Sequence, residues 1–226
     1  MLGWIGWETR GLPRVRHRVE LLGGMPLCRV SVGGRLSPLL RREGRLLREA
    51  GIREGVWPAE LPEPLRMGLA PVEVAPLRRA LLPALLEQAF RQKRVTRQTA
   101  SALLTAEGTS LPVYWAAQLL AQRVRYLHLE TGSGQEGLED WLLQRYGLAC
   151  GGGAPELEVT LRSAAEPRAL LLGENCAVQR VEYILPPALA DALPDGAEGE
   201  QLLAALWRQE RLRPRELAVR RIYFSA

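Results

Sequence analysis

Six consecutive residues, Gly132-Ser133-Gly134-Gln135-Glu136-Gly137, carry the clearest chemical signal in this chain of 226 residues. A strand-like run, Val124 to Glu130, leads into them. A helix-like run follows, with Leu138, Trp141, Leu142 and Tyr146 on one face and Gly147 at its end. A glycine-rich turn between strand and helix lets backbone N–H groups approach a phosphate, and the helix N-terminus favours the negative charge. The predicted ligand contacts are Gly132, Ser133, Gly134 and Gly137, with the N–H groups of Ser133 to Gly137 as anion donors.

Ligands of open parallel sheets sit beyond the carboxyl ends of the strands. The predicted strands place four segments there: Trp57, Glu107-Gly108-Thr109-Ser110, Thr131 to Gly134, and Glu174-Asn175-Cys176. Thr109, Ser110, Glu174 and Asn175 therefore join the turn as predicted binding residues. Thr109 and Ser110 suit a second role equally well, capping the helix that follows. His128, two residues before Glu130, is the nearest candidate for a general base. No Asp, Ser or Cys stands close in sequence to orient it, so a hydrogen-bonded structural histidine is the alternative. His17 alternates with apolar residues and reads as half-buried strand filling. Cys176 lacks a cationic setting that would lower its pKa, and Cys28 and Cys150 read as packing residues. The pairs Arg41-Arg42, Arg78-Arg79 and Arg220-Arg221 read as solvated surface.

Strand, turn and helix together resemble the dinucleotide-binding fingerprint over about 25 residues. The resemblance implies a Rossmann-like sheet and NAD or NADP as cofactor, and hence an oxidoreductase with His128 as its acid–base group. Two positions depart from the pattern. Where the fingerprint expects an acid to hold the ribose, about 20 residues on, the chain reads Ala149-Cys150-Gly151-Gly152-Gly153, and the nearest acids are Glu156 and Glu158. Glu130 and Glu136 also flank the turn, and a carboxylate there repels a phosphate by about 1 kcal/mol at ~4 Å in water. The alternative is a Gly-rich turn in a Rossmann-like sheet that binds no cofactor.

The formal charge of +5 and pI near 9.5 would by themselves suggest a nucleic-acid partner. The detail argues otherwise. Lys93 is the sole lysine, Asp occurs only at 140, 191 and 195, and Leu, Ala, Arg, Gly and Pro dominate. That is the codon bias of a GC-rich genome. Nor do the arginines interleave with aromatics as a single-strand groove requires. Three widely spaced cysteines predict reduced thiols and a cytoplasmic protein. No C-x-x-C pair exists and the two histidines are far apart, so no metal site is predicted. The first eight residues lack the basic and apolar regions of a secretory leader, and no run is long enough to span a membrane.

These candidates need elements to hold them. Val15 to Leu22 alternates with period two, Gly23-Gly24 makes a tight turn, and Leu27 to Val32 returns, predicting an N-terminal β-hairpin joined by a short strand near Trp4. Ser37-Pro38 opens a helix that Gly51 closes, and Ile52 to Trp57 is a short strand. Pro58 to Pro76 holds five prolines and reads as linker or lid. The helix from Leu77 to Phe90 contains Pro83, which predicts a kink. Thr99 to Thr105 is a weak strand candidate, and Val113 to Ala121 a helix. Leu157 to Leu161, Ala169 to Leu172 and Val178 to Leu185 read as strands, followed by a helix around Leu202 and a last strand, Ala218 to Phe224.

From about Gly33 to Leu161 helix and strand alternate, which implies right-handed crossovers and a mostly parallel sheet. The predicted class is α/β, a Rossmann-like three-layer fold with a mixed-edge sheet. The basic break Gln92 to Gln98 divides residues 1–92, with the hairpin, from residues 93–226, with the Gly-rich turn, unless the two halves form one continuous domain. Three functions remain: a module binding a small phosphorylated ligand or nucleotide without catalysis, an NAD(P)-dependent oxidoreductase, or a basic nucleic-acid or protein interaction module.

Overall fold

The computed structural model describes residues 1–8, 14–33, 37–58, 61–96, 98–152, 154–161, 178–191, 193 and 199–224. In chain order the elements are β1 (Leu2–Glu8), β2 (Arg14–Leu22), β3 (Met25–Gly33), α1 (Ser37–Glu49), β4 (Glu54–Val56), β5 (Ala70–Pro71), α2 (Ala75–Ala80), α3 (Leu82–Lys93), β6 (Ser101–Ala106), α4 (Leu111–Ala121), β7 (Tyr126–Glu130), α5 (Gln135–Tyr146), β8 (Leu157–Leu161), β9 (Val178–Ile184), α6 (Pro187–Ala190), α7 (Gly199–Arg208) and β10 (Ala218–Phe224). The protein is mixed α/β, with mostly parallel strand pairing. Two compact units arise, Met1–Leu77 with Leu185–Leu217, and Arg78–Ile184 with Ala218–Ala226. The chain first passes from one unit to the other at Leu77–Arg78, ahead of the basic stretch at Gln92 to Gln98.

The first unit holds a five-stranded sheet in the order β2-β3-β1-β4-β5. The predicted hairpin is there: β2 pairs antiparallel with β3 from Arg14–Gly33 to Leu22–Met25. Its turn needs positive φ at both central residues, and Gly23 and Gly24 supply φ of 53° and 79°. β1, the strand expected near Trp4, runs parallel to β3 on one side and β4 on the other. Ile5, Val30, Val32, Leu40, Leu47 and Ile52 close over one core, in which Trp57 is also buried. Each such side chain contributes about 1.5–3 kcal/mol by leaving water. Gly44 sits within α1 for a steric reason: a Cβ there would lie 2.2 Å from the Met67 carbonyl oxygen. His17 is not strand filling. It is exposed and its Nε2 meets Glu43 Oε2 on α1 at 3.0 Å. Arg208 of α7 grips both carboxylate oxygens of Glu54 on β4.

The second unit holds a parallel three-stranded sheet, β7-β6-β8, and an antiparallel pair, β9 with β10. The weak candidate at Thr99 to Thr105 is the central strand: β6 has a neighbour on each side, and Ala102 and Leu104 are fully buried. A further parallel bridge, Leu127 to Cys150, lies on the outer edge of β7. The chain after α5 thus continues in the direction in which α4 carried it, so right-handed crossovers put both helices on one face. Tyr114 of α4 and Trp141 of α5 meet edge to face there at 5.2 Å.

The alternation read between Gly33 and Leu161 does not run through one sheet, because among the described residues its strands pair into separate sheets in the two units. Pro83 does not kink a long helix either. The helix stops at Ala80, Leu81 leaves helical geometry at ψ 5°, and α3 restarts with Pro83 in its first turn. Proline is tolerated at that position because its missing N–H has no intrahelical partner to lose. On α3, Gln92 treats β10 as a strand would. Its Nε2 donates to the Ile222 carbonyl at 3.0 Å, and its Oε1 accepts from the Ile222 N–H at 2.8 Å. The predicted strand Ala169 to Leu172 lies outside the described residues.

Candidate functional site at the carboxyl edge of the parallel sheet

Register puts the ends of three strands at one edge. Thr105 is level with Glu130, and Ala106 with Leu161, so β6, β7 and β8 all point their carboxyl ends the same way. The loop 107–110 after β6 and the turn 131–134 after β7 lie against each other. A Cβ on Gly134 would stand 2.3 Å from Thr109 Oγ1, one on Gly108 would stand 3.3 Å from Ser133 Oγ, and one on Gly132 would stand 3.6 Å from the Glu107 carbonyl oxygen.

The Gly-rich turn is on the surface, as its predicted role requires: Gly132, Ser133, Gly134 and Gly137 are all exposed. Two of its glycines are demanded by the backbone. Gly132 has φ 64° and Gly134 φ 83°, a region in which other residues cost about 1–2 kcal/mol. Gly137 answers no such demand. In the dinucleotide fingerprint the third glycine lets helix and strand pack closely, yet nothing lies within 4 Å of where its Cβ would be. The start of α5 is also partly occupied by its own side chains. The Thr131 N–H donates to Gln135 Oε1 at 3.2 Å, and Gln135 Nε2 donates to Glu139 Oε1 at 2.8 Å. Glu136 places a carboxylate in the first helical turn. An anion arriving there meets negative charge and one donor already engaged.

The open space lies next to the turn, at the start of α4. A cavity of about 390 Å³ is walled by Arg79, Glu107, Thr109, Ser110 and Ser133 on its polar side and by Pro112, Val113 and Leu161 on its apolar side. Ser110 occupies the N-cap position of α4 in extended geometry, but its hydroxyl makes no capping bond. Its carbonyl accepts from Val113 and Tyr114 at 2.9 and 3.0 Å. Pro112 has no N–H, and the first turn of α4 carries no acid. Among the described residues, the Arg79 guanidinium, the Glu107 carboxylate and the hydroxyls of Thr109, Ser110 and Ser133 make no hydrogen bond to protein. One cation, one anion and three hydroxyl-bearing residues thus border one space, and none of their side-chain polar groups bonds to a described residue.

Of the predicted binding residues, Thr109, Ser110 and Ser133 come together at this cavity. Gly132 and Gly134 shape the loop contact behind it, and Gly137 stands apart in open space. Glu174, Asn175 and Cys176 lie outside the described residues. Trp57 is buried in the core of the first unit. His128 does not line the cavity. It sits within β7 level with Leu103, and its Nε2 is buried with no partner among the described residues. The two acids nearest the expected ribose position are engaged within the sheet. Glu156 accepts the Ser101 N–H at the amino end of β6, at 3.2 Å, and Glu158 accepts the hydroxyls of Thr160, at 3.0 Å, and Thr105, at 3.5 Å. Burial pushes the Cys150 thiol up to about 11, and the nearby Glu139 carboxylate adds to the effect, so the group stays protonated rather than nucleophilic. Burial also raises the Cys28 thiol. Among the described residues no cluster of His, Cys, Asp or Glu is grouped to hold a metal ion, and no helix is long and apolar enough to cross a membrane.

Sequence reasoning missed Arg79. The pair Arg78-Arg79 reads as solvated surface because both positions fall opposite the leucine stripe of one long helix. With the helix stopping at Ala80, Arg78 is instead buried, donating to the Val178 carbonyl at 2.8 Å, and Arg79 reaches the cavity wall. The usable signal was Pro83, which ends the long-helix reading that made the two arginines equivalent. No protein-family model matches the chain, and no curated protein matches it in sequence.

Proposed function

We propose that the second unit is a Rossmann-like half that binds a small phosphorylated, hydroxyl-bearing ligand at the carboxyl edge of its parallel sheet, in a cytoplasmic protein. The supporting observation is the unspent polar set around the cavity at the start of α4. A guanidinium gives a phosphate two parallel donors, and hydrogen bonds to a charged group contribute about 1.5–3 kcal/mol each. The Thr109, Ser110 and Ser133 hydroxyls can donate to the same group. Glu107 sets a limit on the ligand. It weakens the binding of a bare phosphate or pyrophosphate without abolishing it, because Arg79 and the three hydroxyl residues remain, and a ligand that also carries hydroxyls satisfies it as an acceptor. The cavity falls within the range of about 300–1,000 Å³ usual for small-ligand sites.

Binding rather than turnover is the reading favoured by the residues present. Among the described residues lining the cavity, no hydroxyl has a His or Lys beside it to take its proton, and His128 is elsewhere. An oxidoreductase would need a counterpart to the ribose-holding acid, and Glu156 and Glu158 are engaged at other positions of the sheet.

Calorimetric titration with pyrophosphate tests the reading. Wild-type protein should bind it, and Arg79→Ala should weaken binding by about 10–100-fold, the equivalent of one charge-assisted contact. Because Arg79 anchors no other described group, the melting temperature of the variant should stay within about 2 °C of wild type. Equal affinity in wild type and Arg79→Ala would remove the site.

A further inference from the structure

A second depression adjoins the polar cavity, and the two share Arg79 and Pro112 in their walls. It measures about 720 Å³, runs along α4 and is almost wholly apolar: Leu111, Tyr114, Trp115 and Trp141 line it, with Gln118 as the polar group beyond the shared arginine. Its exposure is unusual for such residues. Leu111 is 83% exposed and Trp115 38%. Large apolar side chains left in water next to a polar pocket mark a surface that something covers.

Resting on the function proposed above, we infer that this groove seats the planar ring of the same ligand, which makes the ligand a nucleoside phosphate. Three aromatic side chains on one short stretch of surface offer π faces and edges to a flat heterocycle. Tyr114 and Trp141 already meet at 80°, so together they present one face and one edge. The Gln118 side-chain amide carries a donor and an acceptor, and neither is engaged by the described residues, which suits the hydrogen-bonding edge of a base. Between ring and phosphate lies the sugar, and the polar cavity supplies its acceptor, Glu107. An acyl chain would fill the groove but leave Gln118 and Glu107 unsatisfied. Arg79 lines both depressions, and an arginine can lay its alkyl stem along an apolar groove while its charged head serves a phosphate.

The test compares probes by calorimetry: pyrophosphate alone, adenosine alone, and AMP, GMP and UMP. At least one of the three nucleotides should bind about tenfold or more tightly than pyrophosphate, the gain expected from stacking a base on an aromatic side chain. Trp115→Ala, an exposed position, should return that nucleotide to the affinity of pyrophosphate and leave pyrophosphate binding unchanged. Gln118→Ala should alter the order of preference among the bases. Pyrophosphate binding that depends on Arg79, with no nucleotide tighter than pyrophosphate, would overturn the ring site while the anion site stands. Failure of every probe would overturn both. A dimer in sedimentation that Trp115→Ala converts to monomer would assign the groove to a second copy of the chain and overturn the inference.

Discussion

Ser110 and Thr109 show how one residue type can serve either structure or ligand. Both suit capping, yet Ser110 holds the N-cap position of α4 without making the cap bond, and Thr109 lies against Gly134. Both residues wall the cavity with Arg79, and neither hydroxyl bonds to a described residue. The missing cap is not written in local sequence, and the arginine's placement is written there only through Pro83, which marks where the helix before β6 breaks. Cys150 makes the opposite point, a reactive residue type made inert by its surroundings. Its ordinary value near 9 is pushed up to about 11 by burial and by Glu139. The folded state therefore holds this proton more tightly than the unfolded chain. The associated stability is complete below about pH 9 and is lost as pH rises through about 11. In urea denaturation, the midpoint of wild type should fall more steeply than that of Cys150→Ser between about pH 8.5 and about pH 10.5. Parallel curves would contradict this account of the thiol.

At the scale of elements, the glycines of the turn separate by role. Gly134→Ala should destabilise by about 2 kcal/mol or more, because φ 83° is strained for alanine and the new methyl would meet Thr109 Oγ1. Gly137→Ala should do the reverse and stabilise by about 0.5–1 kcal/mol, since the position is helical and open. Thermal unfolding of the two variants checks the pair, and equal effects would contradict the geometry of the turn. Gln92 is a second case. Replacing it with Leu should leave the Ile222 N–H and carbonyl unpaired at a cost of about 1–3 kcal/mol. Hydrogen exchange at the Ile222 amide should quicken accordingly, and unchanged protection would show that the side chain does not complete the β10 edge.

At the scale of the whole molecule, what was legible in sequence was local. The hairpin could be read because alternation and Gly23-Gly24 lie within one short stretch. The strand–turn–helix from Tyr126 to Tyr146 could be read because three glycines punctuate it. What could not be read was long-range. The last strand, Ala218–Phe224, returns to the second unit after α6 and α7 have gone to the first, and nothing in residues 185–224 announces the exchange. The position of β6 at the centre of its sheet comes from neighbours on both sides, not from the small residues Ser101 and Ala102, which have weak strand preference alone. The candidate site moved for the same reason. The motif points to the carboxyl edge of the sheet, and the free space at that edge lies one loop away.

The most direct test of this account is amide chemical-shift mapping of the intact protein during titration with pyrophosphate. The predicted result is saturable shifts at Arg79, Gly108 to Leu111 and Ser133, with Glu136 and Gly137 unmoved. Shifts centred on Glu136 and Gly137, or none at the loop after β6, would contradict it.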